Sequence, residues 1–115
     1  MDTTALNLPE DQRRSLDRTV AAIVETAHPE LVILFGAGAE GTAREDSDVD
    51  LLVVADHENR TELTADLYDA LMPILLPRSL DVLVYTPESW ARGRELLGFV
   101  TREADQRGVR LYAAA

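Results

Sequence analysis

The chain contains no cysteine, which excludes disulfides, thiolate metal ligands and cysteine nucleophiles. It contains no lysine either: all 11 basic residues are arginine, set against 21 acidic residues, for a formal net charge of −10. Affinity for nucleic acid rests largely on cationic contacts with phosphates. Direct nucleic-acid binding is therefore not expected, although a nucleotide already dressed with metal is compatible with an acidic surface. High net charge favours solubility. No run approaches the ~20 apolar residues of a membrane span, and no N-terminal signal pattern is visible. The expectation is a cytoplasmic protein with no membrane contact. Its 115 residues fit one domain, 1–115, able to bury roughly 65% of the surface of the unfolded chain.

Hydrophobic spacing divides the chain into elements. Leu16, Val20, Ile23, Val24 and Ala27 recur at helical intervals, predicting an amphipathic helix over residues 10–27 that stops before Pro29. Leu31 to Phe35 reads as a buried strand, and residues 49–55 as a second. Leu63, Leu67, Ala70, Leu71, Ile74 and Leu75 mark another helix, which Pro73 should kink or end early. Leu80 to Tyr85 is a third strand. Thr86 then Pro87 forms an N-cap with proline at the first helical position. The helix that follows reaches about Gln106, with Gly93 or Gly98 as points of interruption, and Val109 to Tyr112 closes the chain as a short strand. The order implies a small α/β (α+β) domain with a mixed sheet flanked by helices.

The chemistry concentrates between residues 31 and 54. Asp48 and Asp50 open an apolar strand, and residues i and i+2 of a strand point to the same face. Two carboxylates side by side repel and lose hydration, and a divalent cation between them removes both problems. Upstream lies a glycine-rich turn, Gly36-Ala37-Gly38-Ala39-Glu40-Gly41, whose backbone N–H groups can approach a phosphate.

Two familiar readings fail on this segment. Glycines at 36, 38 and 41 after a strand match the dinucleotide-binding fingerprint, with Asp56 in place of the ribose acid. A parallel crossover, however, needs a dozen or more residues, usually a helix, and only Thr42 to Asp48 separate Gly41 from the next strand. A calcium loop beginning at Asp46 needs glycine at its sixth position and an acid at its twelfth; those positions hold Leu51 and His57.

The segment LFGAGAEGTAREDSDVDLLVV, Leu34 to Val54, resembles the active-site motif of the minimal nucleotidyltransferases of the DNA polymerase beta-like superfamily: Gly-Ser, ten residues, Asp-x-Asp, and a third carboxylate on a later strand. Gly36 matches the glycine, Asp48 and Asp50 the acid pair, and Asp81 the third acid; the element order and the ending Gly108 to Tyr112 are also similar. The resemblance implies a nucleotidyltransferase fold in which Asp48, Asp50 and Asp81 are catalytic and hold Mg²⁺ (or Mn²⁺), as suits oxygen ligands. It implies that Gly36, Ala37 and Ser47 meet the phosphates of a nucleoside triphosphate, ATP being the expected one. A nucleotidyl group would pass to a hydroxyl acceptor as pyrophosphate leaves.

The motif departs from the family at two places. Ala37 replaces the serine whose hydroxyl bonds a phosphate, an interaction of about 1.5–3 kcal/mol, equivalent to roughly tenfold to a hundredfold in rate if made in the transition state. Glu40 stands where family members often carry arginine. Two functional classes therefore stay open: an active Mg²⁺-dependent transferase, and a weakened fold mate that acts by contact. Small stand-alone members resemble the antitoxins of two-component systems, whose helical HEPN-type ribonuclease partner is silenced by contact or by AMP transfer to a tyrosine. The oligomeric state stays open. Trp90 and Tyr112 are read as core or rim packing, His28 as a cation at a helix end, and His57 as solvated. Apolar neighbours place Asp81 on a central strand.

Overall fold

The computed structural model describes residues 10–36, 48–76, 78–96 and 98–114. Helix α1 spans Glu10–Ala27, followed by strands β1 (Leu31–Phe35) and β2 (Val49–Val54), helix α2 (Arg60–Leu75), strand β3 (Leu80–Tyr85), helices α3 (Pro87–Gly93) and α4 (Val100–Arg107), and strand β4 (Val109–Ala113). The strands form one mixed sheet in the order β3-β2-β1-β4. The β1–β2 and β1–β4 pairs are antiparallel, and β2–β3 is parallel. This is the expected α+β architecture with helices on both sheet faces.

Alternation along the strands builds two cores. Val32, Leu34, Leu51, Val53, Val82 and Val84 face α1 and α2, meeting Leu16, Val20, Ile23, Leu67 and Leu71. Leu31, Ile33, Leu52 and Val54 face the other way, onto Trp90 of α3 and Ala104 of α4. Strand β2 is buried on both faces from Leu51 to Val54, as its unbroken apolar run requires. Trp90 is core, as read from the sequence.

Local signals account for most boundaries. Asn59 caps α2 by accepting from the Glu62 N–H at 3.0 Å, and Thr86 caps α3 by accepting from the Ser89 N–H at 3.1 Å, with Pro87 at the first helical position. Two expectations need correction here. Helix α2 does not end at Pro73 but runs through it to Leu75. Pro73 sits exposed in the last turn, where only the hydrogen bond to the Asp69 carbonyl is lost to the missing N–H. Strand β3 is an edge strand, not a central one. Its apolar residues are buried by α2 on one face, which mimics the hydrophobicity of a central strand. Tyr68 of α2 covers part of that edge, its hydroxyl accepting from the Val82 N–H at 3.1 Å. The anticipated interruption of the last helix is present: α3 ends at Gly93, and Gly98 adopts φ +83° before α4 begins. His57 is half-buried, its ring nitrogen 2.8 Å from the Ala55 carbonyl, and so is held rather than simply solvated.

Candidate functional site

The parallel register of β2 and β3 sets Asp50 directly beside Asp81. Across the antiparallel pair, Asp50 lies opposite Phe35, one residue before Gly36. Residues paired in register share a sheet face, and this is the face that carries Leu52 and Ile33. Helices α3 and α4 cover the middle of that face. Asp50 and Asp81 emerge at its end, where β2 and β3 begin and β1 finishes. Asp48, just before β2, is exposed, as is Asp81, while Asp50 is half-buried.

The electrostatics follow from this crowding. The Asp50 carboxyl is pushed above the ordinary aspartate range, first by burial and then by the negative charges of Asp81 and Asp48. A hydrogen bond with the Asp81 side chain raises it further. None of the three acids forms an ion pair with a described residue. No group of three or more His, Asp or Glu side chains is drawn into a ready metal cage among the described residues. The donor chemistry nevertheless fits a hard divalent cation: oxygen-only ligands, two of them in register, with no arginine paired to them among the described residues.

Gly36 borders the acids closely. Its φ is +71°, and a Cβ built there would lie 2.5 Å from the Asp50 Oδ2. Glycine is thus required twice, for the left-handed turn and for the approach of the carboxylate. The other two phosphate-binding candidates, Ala37 and Ser47, lie outside the described residues, as does Glu40.

On the far side of Gly36 a cavity of about 160 Å³ opens, lined by Phe35, Gly36, Val100, Glu103 and Arg107. Antiparallel pairing of β4 with β1, Val109 opposite Leu34, brings the end of α4 close to Gly36. Gly108 makes that approach possible, since a Cβ there would collide with the Ala104 carbonyl and the Ile33 Cγ2. Sequence reading did not single out Arg107. Its only signal was position, next to a glycine and a terminal strand whose neighbour was unknown.

Comparison with known proteins agrees with this geometry. The profile of the polymerase beta, nucleotidyltransferase family matches residues 18–93, from the middle of α1 to the end of α3. Among functionally curated proteins no sequence matches the chain. A toxin–antitoxin structure with AMP-PNP superposes with a TM-score of 0.64 at 18% identity, over 85% of this chain and 73% of that one. A chain from the complex of a tri-AMPylated Shewanella oneidensis HEPN toxin with its MNT antitoxin gives a TM-score of 0.57 at 15% identity, over 90% and 73%. A protein proposed as a minimal nucleotidyltransferase gives 0.59 at 22% identity, over 90% of this chain and 97% of that one. At these identities the likeness is one of fold. The profile match reaches further, since it spans the glycine turn, the acid pair and Asp81 together, and by it the chain belongs to the polymerase beta nucleotidyltransferase family.

Proposed function

We propose that this chain is a single minimal nucleotidyltransferase domain that binds a nucleoside triphosphate, ATP being the first candidate, with Mg²⁺ or Mn²⁺, and passes a nucleotidyl group to a hydroxyl acceptor. The observation that carries the reading is the register of Asp50 with Asp81, beside Asp48 and against Gly36. Carboxylates crowded without a counter-cation cost stability and are a recurrent mark of functional sites.

In this reading Asp48, Asp50 and Asp81 hold the divalent cation, and the Gly36 turn receives the phosphates. When bound, the cation offsets charge on the triphosphate and on the departing pyrophosphate. Asp81, exposed on the edge strand, is reachable by an incoming acceptor. Its carboxylate takes the acceptor's proton as the new oxygen–phosphorus bond forms at the α-phosphate. The bond to the β-phosphate breaks, and pyrophosphate leaves with its electron pair.

A small domain of this kind has little surface of its own with which to hold a macromolecular acceptor, so a partner protein that brings the hydroxyl suits it. Similarity to chains from toxin–antitoxin complexes, one of them with an AMPylated HEPN toxin, supports a helical HEPN-type partner and AMP as the transferred group. A cytoplasmic setting accords with that partnership, and no helix among the described residues is long and apolar enough to cross a membrane. The second reading, silencing of the partner by contact alone, is favoured by Ala37 and Glu40, which weaken the phosphate half of the motif.

Calorimetric titration of ATP with Mg²⁺ or Mn²⁺, followed by pyrophosphate release in the presence of the partner, separates the two. ATP binding and release support transfer; no binding with either metal removes the enzyme reading. Ala37→Ser should raise turnover roughly tenfold to a hundredfold if the missing hydroxyl limits the transition state.

A further inference from the structure

A polyphosphate carries several negative charges, and the three acids with their cation meet only part of them. Glu40 adds a further negative residue to the turn, and the chain has no lysine. A transferase of this design needs a cation beyond the acid pair, on the side where pyrophosphate departs.

Across the open end of the sheet, Asp81 on β3, Asp50 on β2, Phe35 and Gly36 after β1, and Arg107 before β4 follow one another in strand order. Two strand spacings, ~10 Å, separate the lines of β2 and β4. A polyphosphate and an arginine side chain together can span that interval. Arg107 lines the cavity that begins at Gly36, and β4, which it precedes, lies on the other side of β1 from the acids. Arg107 is also loosely held. Its contact with Glu103 is 4.0 Å long, with the two side chains 71% and 64% exposed, and such a pair contributes little. The attraction of a helix C-terminus for cations explains an arginine at this end of α4. It does not explain why the cavity it lines opens at Gly36.

We propose that Arg107 is the anion-binding residue for the β- and γ-phosphates, its weak contact with Glu103 leaving it free to turn to the nucleotide. The inference rests on the nucleotidyltransferase reading, and it gives the site a direction. The acceptor enters on the Asp81 side, and pyrophosphate leaves on the Arg107 side. Arg107 lies outside residues 18–93, the part of the chain that the family profile matches.

The test is calorimetric titration of ATP, AMP and inorganic tripolyphosphate, each with Mg²⁺, into wild-type protein and three variants. Arg107→Gln should weaken ATP and tripolyphosphate roughly tenfold to a hundredfold, the loss of one charge-assisted contact, and leave AMP affinity at its wild-type value. Arg107→Lys should recover most of the loss. Glu103→Gln should tighten ATP binding by removing a negative charge that lines the same cavity. Both positions are exposed, and unchanged melting curves will verify that the variants fold. ATP affinity unmoved by Arg107→Gln overturns this inference and leaves the nucleotidyltransferase reading standing. Equal losses of ATP and AMP overturn it as well, because the cavity would then hold the base or ribose. Tripolyphosphate bound through Arg107 by a wild type that does not bind ATP keeps the anion site and removes the nucleotide reading. A wild type that binds neither ligand overturns both.

Discussion

Neutralising Asp50 should stabilise the metal-free protein, the opposite of what removal of a polar contact usually does. The register sets Asp50 beside Asp81, and adjacent strands lie about 4.8 Å apart. Two unit charges at that separation repel by about 0.9 kcal/mol in water and about 3.5 kcal/mol at an effective dielectric of 20. Asp81 is exposed and Asp50 half-buried, so solvent screening keeps the value near the lower bound, about 1 kcal/mol. Asn at position 50 keeps an N–H donor for Asp81 while removing the charge. For a chain of this length 1 kcal/mol corresponds to about 4 °C in melting temperature, so Asp50→Asn in chelator at neutral pH should melt higher by about that amount.

The pH dependence has a definite sign. The Asp50 carboxyl is raised in the folded state by burial, Asp81 and Asp48, so between its unfolded and folded values the folded protein binds more protons. Stability of the wild type therefore falls as pH rises through that window. The penalty is absent below the unfolded value near 3.9 and complete above the folded one. The advantage of Asp50→Asn should accordingly vanish toward pH 4 and grow as pH rises through the raised value of Asp50. Mg²⁺ should reverse the ranking: ligand at ten times its dissociation constant stabilises the wild type by about 1.4 kcal/mol, and the variant by much less. Thermal melts across pH, with and without Mg²⁺, provide the assay. A variant that melts below the wild type in chelator, or one whose advantage persists unchanged to pH 4, refutes the repulsion argument.

Two further substitutions probe the surroundings of the acids. Gly36→Ala places a Cβ 2.5 Å from the Asp50 Oδ2 at φ +71°; the left-handed backbone alone costs about 1–2 kcal/mol, and the displaced carboxylate should weaken Mg²⁺ binding as well, measurable by melting and by calorimetry. Tyr68→Phe removes the hydroxyl that accepts from the Val82 N–H. It should cost about 0.5–1.5 kcal/mol and speed amide exchange at Val82, next to Asp81, while exchange in the buried strand β2 stays slow.

Much of this fold was legible because its elements are marked locally. The spacing of Leu16, Val20 and Ile23 gave α1 its bounds, and Thr86-Pro87 gave the start of α3, since caps and helical periods are properties of neighbouring residues. The acid pair was legible for the same reason, an i, i+2 relation being readable along one strand. Relations between distant strands were not. Asp81 was placed centrally because Leu80 and Val82 look like a buried strand; that burial comes from α2 lying over one face of an edge strand. Arg107 carried no local mark at all. Its place beside Gly36 exists only because β4 returns antiparallel to β1, a pairing across more than seventy residues of chain that no short pattern encodes.

The contrast between two groups of acids in this protein bears on why Asp50 and Asp81 are as they are. Asp105, 17% exposed, is met by two arginines, Arg110 at 2.8 Å and Arg94 at 3.4 Å, and Arg94 also lies over the Trp90 ring. The chain thus neutralises a part-buried aspartate where the acid ties α3, α4 and β4 together. Among the described residues it does not do so for Asp50, which is part-buried and has two like charges for neighbours. An exposed acid with no partner would need no explanation, because water screens it. A half-buried one, in register with a second carboxylate and wedged against a glycine that leaves it room, is held against its own electrostatics. Packing does not require that arrangement, since asparagine would fit the same space. A cation arriving with its ligand would account for it, and on the proposed reading Arg107, loosely tethered on the other side of Gly36, is the complement of the acids rather than their neutraliser.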